Sequence, residues 1–458
     1  MVEPLESIRK KRHKPSSLGD GGPMRKVCGL AVLICIGFAN LGRAQSADQL
    51  SGQWLITRVV FGSTQYHRIT LKLENGKVTG AFGSGRKIEG TLQGNQLHFI
   101  ARDDFSTIEC TATLSGGKIS GKFVETLRAD PKDIQESSIT ATRIPEPRSG
   151  PPQRHEFTPT TFYREFSAAP PPVLRIWPGD TVHTTTVDAG GVDERGIRRS
   201  QGGNPQTGPF YIETALPGDT LVVHFTRIRL NRDYAISDDG IVDRAVDSGL
   251  AVKLKDTGNS VRWRLDRERM VATSERPGDH LKNFTVPLRP MLGCVATAPT
   301  RGSVPTGDSG GFGGNMDFNE IIEGVTVYLP VSHPGALLFV GDGHAAQGDG
   351  ELNGDALETS MEVEFSVSLI RSKRFNTPRV ESESQIMAVG LGGSLEDALR
   401  AAVRGMAQWL EQDYGLTPSE IAQVLGTSVQ LNINEVADRN AGVVAKLNKQ
   451  QLAALKKQ

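Results

Sequence analysis

A chain of 458 residues has length for two or three domains. Lys plus Arg and Asp plus Glu both number 52, so the formal net charge is zero and the basic surface that a nucleic-acid partner needs is missing. The 51 Gly and 25 Pro, set among short Val, Ile and Thr runs, argue for a β-rich, turn-rich protein.

Residues 1–44 read as a leader with a secretory signal. Arg25 and Lys26 are followed by an uncharged apolar stretch, Val27 to Leu41, and then by small residues at Gly42 and Ala44, which places cleavage before Gln45. The stretch is short for a membrane anchor, so the expected location is periplasmic or secreted, with no stable membrane insertion after cleavage. Cys28 and Cys35 leave with the signal. Cys110 and Cys294 remain, outside any metal-binding spacing, and are expected to be buried free thiols.

Residues 45–144 predict a small antiparallel β meander closing into a barrel. Seven alternating segments, from Trp54–Val60 to Lys118–Thr126, are separated by turn signals, among them Asn75-Gly76 and Gly116-Gly117. A Pro-rich linker follows at 145–153. From 154 to 440 a second domain is expected, again mainly β. Its Pro-Gly-Asp turns at 178–180 and 217–219 each lead into an alternating strand. Within it, 380–440 reads as helical. Ser394 is an N-cap, and Leu395, Leu399, Ala402, Val403, Met406 and Leu410 recur at helical spacing. Thr417-Pro418 opens a second helix. Residues 441–458 read as a Lys-rich, solvated tail.

The chemistry concentrates in four Gly-rich polar clusters, around Asp188, Asn204, Asn315 to Asp317, and Gly341 to Glu351. The last places Asp342, His344, Gln347, Asp349 and Glu351 directly after the apolar run Gly335 to Val340. That pattern predicts a buried strand delivering a polar loop. Asp, Glu and His can ligate a divalent metal and transfer protons. Asn204, Gln206, Asn315 and Gln347 can orient an amide by hydrogen bonds. His183 and His224 are each either a ligand or a hydrogen-bonded core residue. Ser309 lies in Gly307-Asp308-Ser309-Gly310-Gly311, which echoes a serine-protease nucleophile loop, but no partner motif accompanies it and the flanking chain does not fit, so a serine hydrolase is disfavoured.

Residues of about 155–435 resemble the acetamidase/formamidase family. The resemblance runs in order through Gly203-Asn204-Pro205-Gln206-Thr207-Gly208-Pro209-Phe210-Tyr211, Leu216 to Val223, Gly293 to Pro299, Gly313-Gly314-Asn315-Met316-Asp317 and Tyr328 to Val331, and into Gly341 to Glu351. It implies hydrolysis of a short amide to carboxylate and ammonia, a β-rich sandwich or barrel with few helices, a divalent metal (zinc, with calcium the alternative) and a homo-oligomer. Carried over by position, it singles out Asp188, Asn315, Asp317, Asp342, His344, Gln347 and Glu351; with Asn204 from the polar clusters, the expected metal ligands are Asp188, Asp317, Asp342 and His344, and the expected substrate contacts Asn204, Asn315 and Gln347. Catalytic residues would be Glu351, as general base and then acid, together with His344 and Asp349. The chain departs from the family in its signal and extra β domain, at Thr306 to Gly311, and over the Arg-rich residues 231–290. Two alternatives remain: a hydrolase of a larger amide, and a non-catalytic exported metal-containing binding protein.

Overall fold

The computed structural model describes residues 49–83 and 85–455. The expected signal and both of its cysteines lie outside these residues. Two compact units are present, with residues 70–136 forming most of the smaller, and residues 53–69 with 137–458 the larger.

Eight N-terminal strands close into an antiparallel barrel: β1 (Gly52–Val60), β2 (Ser63–Glu74), β3 (Lys77–Phe82), β4 (Arg86–Gln93), β5 (Gln96–Arg102), β6 (Ser106–Ser115), β7 (Lys118–Leu127) and β8 (Ile134–Arg143). Alternation sets the register. In β6, Ile108, Cys110, Ala112 and Leu114 point inward while the residues between them face out. The Asn75-Gly76 turn has both residues at positive φ, 52° and 81°, as a two-residue hairpin of this hand requires. Strand β8 is absent from the sequence reading. Of its inward positions, Ser137 and Ala141 are small and only Ile139 is a large apolar residue, so its alternation is faint; it nonetheless pairs with β1.

The larger unit holds two extensive sheets that share one apolar core. Strands 220–230 and 361–370 of one sheet contribute Leu221, Val223, Phe225, Val363 and Phe365. Strands 207–212, 291–296 and 338–344 of the other contribute Phe210, Leu292, Val295, Leu338 and Val340. This is the expected mainly β sandwich with C-terminal helices.

The helix Leu395–Tyr414 has the expected cap, Ser394 accepting from the Asp397 N–H, and it ends at Gly415 with φ 66°. Its buried face is rotated from the expected one. Ala398, Ala402, Gly405, Met406 and Leu410 face the sheet, whereas Leu395 and Leu399 are exposed. Close approach explains this: a Cβ on Gly390 would lie 2.1 Å from the Ala398 carbonyl oxygen, so only small helix residues fit there. The second helix, Pro418–Ser428, carries a Thr417–Glu420 capping box.

The Lys-rich tail is a correction. Residues Ala441–Asn448 form a buried strand paired on both sides, with Gln385–Gly392 and Gln430–Glu435. Lys446 misled the reading because its ammonium is buried against Glu320 at 2.6 Å. Among the described residues of this tail, helix is confined to Lys449–Leu452. Cys110 and Cys294 are both free and buried, as expected.

Candidate functional site: a buried histidine–carboxylate cluster

The strand Leu338–His344 is buried along its whole length. It extends four residues beyond the apolar run that predicted it, so Asp342 and His344 sit on the strand itself and, two residues apart, share a face. Neighbouring strands bring the partners. Met291 pairs opposite His344 on one side and Glu358 pairs opposite it on the other. The strand Gly313–Asn315 pairs with 294–296 and leads into Asp317. The strand Gln430–Glu435 ends at the same cluster.

Three overlapping groups result, each with ligand atoms within 4.8 Å of one another: Asp317, Asp342 and His344; His344, Glu351 and Glu358; Asp317, Glu351 and Glu435. All six residues are buried. His344 Nδ1 lies 2.9 Å from Gln347 Oε1 and so carries the proton there, because an amide oxygen can only accept. Nε2 is left facing Glu358 at 3.2 Å, Asp342 at 3.5 Å and Glu351 at 4.0 Å.

Burial together with mutual repulsion perturbs the whole cluster. The Asp317 carboxyl is raised well above the usual range by burial and by Glu351, Asp342 and Glu435. Burial, with Asp342 beside it, pushes Glu358 up to about 8. Asp438 rises to about 7 through burial and Glu435. Burial alone would lower His344, but Glu358 and Asp342 hold it well above its ordinary value. So many carboxylates cannot remain ionised in a dry site without cations to match them.

The backbone is strained where the chemistry sits. Asp317, Asp342, Glu351 and Asn204 all have positive φ, between 41° and 58°, which non-glycine residues take up rarely and mostly at functional sites. Gly293 completes the cradle, since a Cβ there would lie 2.3 Å from both Asp317 Oδ1 and Asp342 Oδ2. Asp317 Oδ1 and Glu435 Oε2 are buried without a hydrogen-bond partner. Unpaired oxygens, an imidazole nitrogen and a space that admits no side chain fit a divalent cation.

Other expected residues take different places. Asp188 is bound by the buried Arg232 guanidinium at 2.7 Å and belongs to none of the three groups, so its charge is already matched. Asn204, Asn315 and Gln347 are at the site but saturated. Asn204 donates to Asn315 Oδ1 at 2.6 Å, and Asn315 donates to Asp317 at 2.7 Å and Asp438 at 2.6 Å. Gln347 donates to the Asp317 carbonyl at 2.6 Å. They position the acids and the imidazole, and have few polar atoms left for a substrate. Among the described residues, the amide oxygens of Gln206 and Asn434 are buried and unpartnered. His183 is held between Glu156 and Glu362, and His224 by Thr326.

Asp349 is exposed and bonds Asn319 and Asn432 at 2.9 and 3.2 Å, bracing a loop. Asp349→Ala is therefore expected to leave amide turnover within about twofold of the parent and to cost about 1 kcal/mol of stability. A hundredfold loss of kcat/KM would return Asp349 to the catalytic group.

Sequence reasoning missed Glu358, Glu435 and Asp438. Each lies in an ordinary-looking strand end or loop; Glu435 and Asp438 are also more than eighty residues beyond Glu351, and no local spacing marks any of the three. The loop after Glu435 is held from the Arg-rich segment: Arg244 donates to the carbonyls of Val436, Asp438 and Arg439 at 2.8–3.0 Å.

A model of the Acetamidase/Formamidase family matches residues 302–448, which contain most of this cluster. Over that stretch the chain resembles the acetamidase/formamidase family. Solved relatives agree. An acetamidase/formamidase of Thermoanaerobacter tengcongensis, so assigned by prediction, is 25% identical, with a TM-score of 0.57 over 66% of this chain and 98% of its own. An acetamidase of Yersinia enterocolitica is 29% identical, with a TM-score of 0.57 over 66% of this chain and 94% of its own. A formamidase candidate of Schizosaccharomyces pombe is 51% identical over 41 residues, which are 9% of this chain and only a tenth of that protein. Acetamidases and formamidases act on carbon–nitrogen bonds of linear amides. Among the described residues, no helix is long and apolar enough to cross a membrane.

Proposed function

We propose that this chain is an exported amidohydrolase that cleaves short aliphatic amides of the formamide and acetamide type to carboxylate and ammonia. The observation that carries the reading is the buried cluster of one imidazole and several carboxylates, on a family-like fold, with Asp317 Oδ1 and Glu435 Oε2 unpaired. A divalent cation, zinc by its mixed nitrogen and oxygen donors with calcium the alternative, would be held by Asp317, Asp342 and His344 and would polarise the carbonyl and acidify a water.

The chain's own residues supply the rest. Gln347 fixes the His344 tautomer and so aims Nε2 into the site. Glu351 and Glu358 flank that nitrogen and are the groups placed to take a proton and return it to the leaving amine. Gln206 Oε1, buried and unpaired, is a ready acceptor for an amide N–H. Burial keeps bulk water from competing for these contacts. Export rests on the leader at 24–44, and oligomerisation on the family resemblance.

The test is ammonia release from formamide, acetamide and propionamide by the chain from Gln45, before and after chelation. Chelator-sensitive release that falls with acyl length is expected. No release from any of the three by metal-replete protein would overturn the short-amide reading.

A further inference from the structure

We infer that the cluster holds two divalent cations bridged by the Asp317 carboxylate, the first completed by Asp342 and His344 and the second by Glu351 and Glu435. This rests on the metal-dependent reading above and specifies its centre.

The donor sets decide the partition. Three groups are present, but His344 offers one free nitrogen, because Nδ1 is bonded to Gln347. One lone pair serves one ion, so the two groups that contain His344 compete for it. The group of Asp317, Glu351 and Glu435 does not use His344 and can fill independently. It shares only Asp317 with the group of Asp317, Asp342 and His344. A carboxylate suits that shared position, since each oxygen can meet a different ion. Asp317 Oδ2 accepts one hydrogen bond from Asn315, while Oδ1 has no partner.

An unpaired atom marks each half. Asp317 Oδ1 lies against the Gly293 cradle beside Asp342, and Glu435 Oε2 is unpaired in the other group. Both residues are 0% exposed. Charge favours the same count. Asp317, Asp342, Glu351, Glu358 and Glu435 bring five carboxylates together, and the nearby guanidinium of Arg232 is already committed to Asp188. With all five ionised, one dication would leave three negative charges buried, whereas two leave one. With Glu351 held as a ligand, the proton transfer assigned above to Glu351 and Glu358 falls to Glu358, which is outside both ligand sets and 3.2 Å from His344.

Metal content of the zinc-saturated, desalted full chain, measured by plasma mass spectrometry, tests this. Two ions per chain are expected in the parent, and one in Glu435→Gln, whose first group is intact. One ion in the parent, or an unchanged count in Glu435→Gln, would overturn the pair. A second measurement needs no variant: the metal-free parent is titrated with Mn2+ and followed by electron paramagnetic resonance. A spin-coupled spectrum at two equivalents is expected, while an uncoupled six-line spectrum throughout would overturn the bridge. Amide hydrolysis with one ion per chain would sink the pair and leave the function standing. Two ions without amide cleavage would do the reverse.

Discussion

Glu351→Gln is expected to lower kcat/KM for acetamide by about 10²- to 10⁴-fold, the range that loss of a proton-transferring group or a misplaced metal produces. The substitution keeps the side-chain volume, and Glu351 is buried with its carboxyl raised by burial and by its acidic neighbours, so a neutral amide is tolerated sterically. Metal content measured on the same sample separates its two possible roles. Loss of one ion together with activity makes Glu351 a ligand of the second cation. Loss of activity with full metal content makes it the proton acceptor and removes it from the bridged pair. Full activity would remove it from both.

The second large effect is expected from a single methyl group. Gly293→Ala places a Cβ 2.3 Å from Asp317 Oδ1 and Asp342 Oδ2, and both carboxylates must swing aside. Displacing reacting or ligating groups by about 1 Å can cost about 10²-fold in rate, and here two of the proposed ligands move at once. Metal binding and amide turnover are both expected to fall by at least that factor. Overpacking a buried site costs about 1–3 kcal/mol, which a unit of this size should survive, so thermal unfolding should remain cooperative. Retained metal and activity in Gly293→Ala would show that the cradle is not where the cation sits.

Much of this was legible along the chain because it depends on local pattern. Period-two alternation and the Asn75-Gly76 turn gave seven of the eight barrel strands. Ser394 and Thr417 announced the two helices. The density of Asp, His and Glu after an apolar run located Asp342, His344 and Glu351, and the ordered segments from Gly203 to Glu351 carried the family resemblance. Local signals failed where the outcome depends on what lies opposite. Strand β8 has weak alternation and is fixed by pairing with β1. Strand 441–448 carries a lysine whose charge is cancelled by Glu320, more than a hundred residues away.

The site divides the same way. By itself the sequence determined which residue types were available for metal and proton chemistry, and where most of them cluster, because glycine-rich polar loops after apolar strands are a local feature. Only the tertiary structure decided which of them meet. Cross-strand pairing set Glu358 beside His344, a sheet edge brought in Glu435, a salt bridge withdrew Asp188, and a solvent-facing loop took Asp349 away. Those outcomes turn on charge pairing and burial between segments distant in the chain, and no spacing within one segment encodes them.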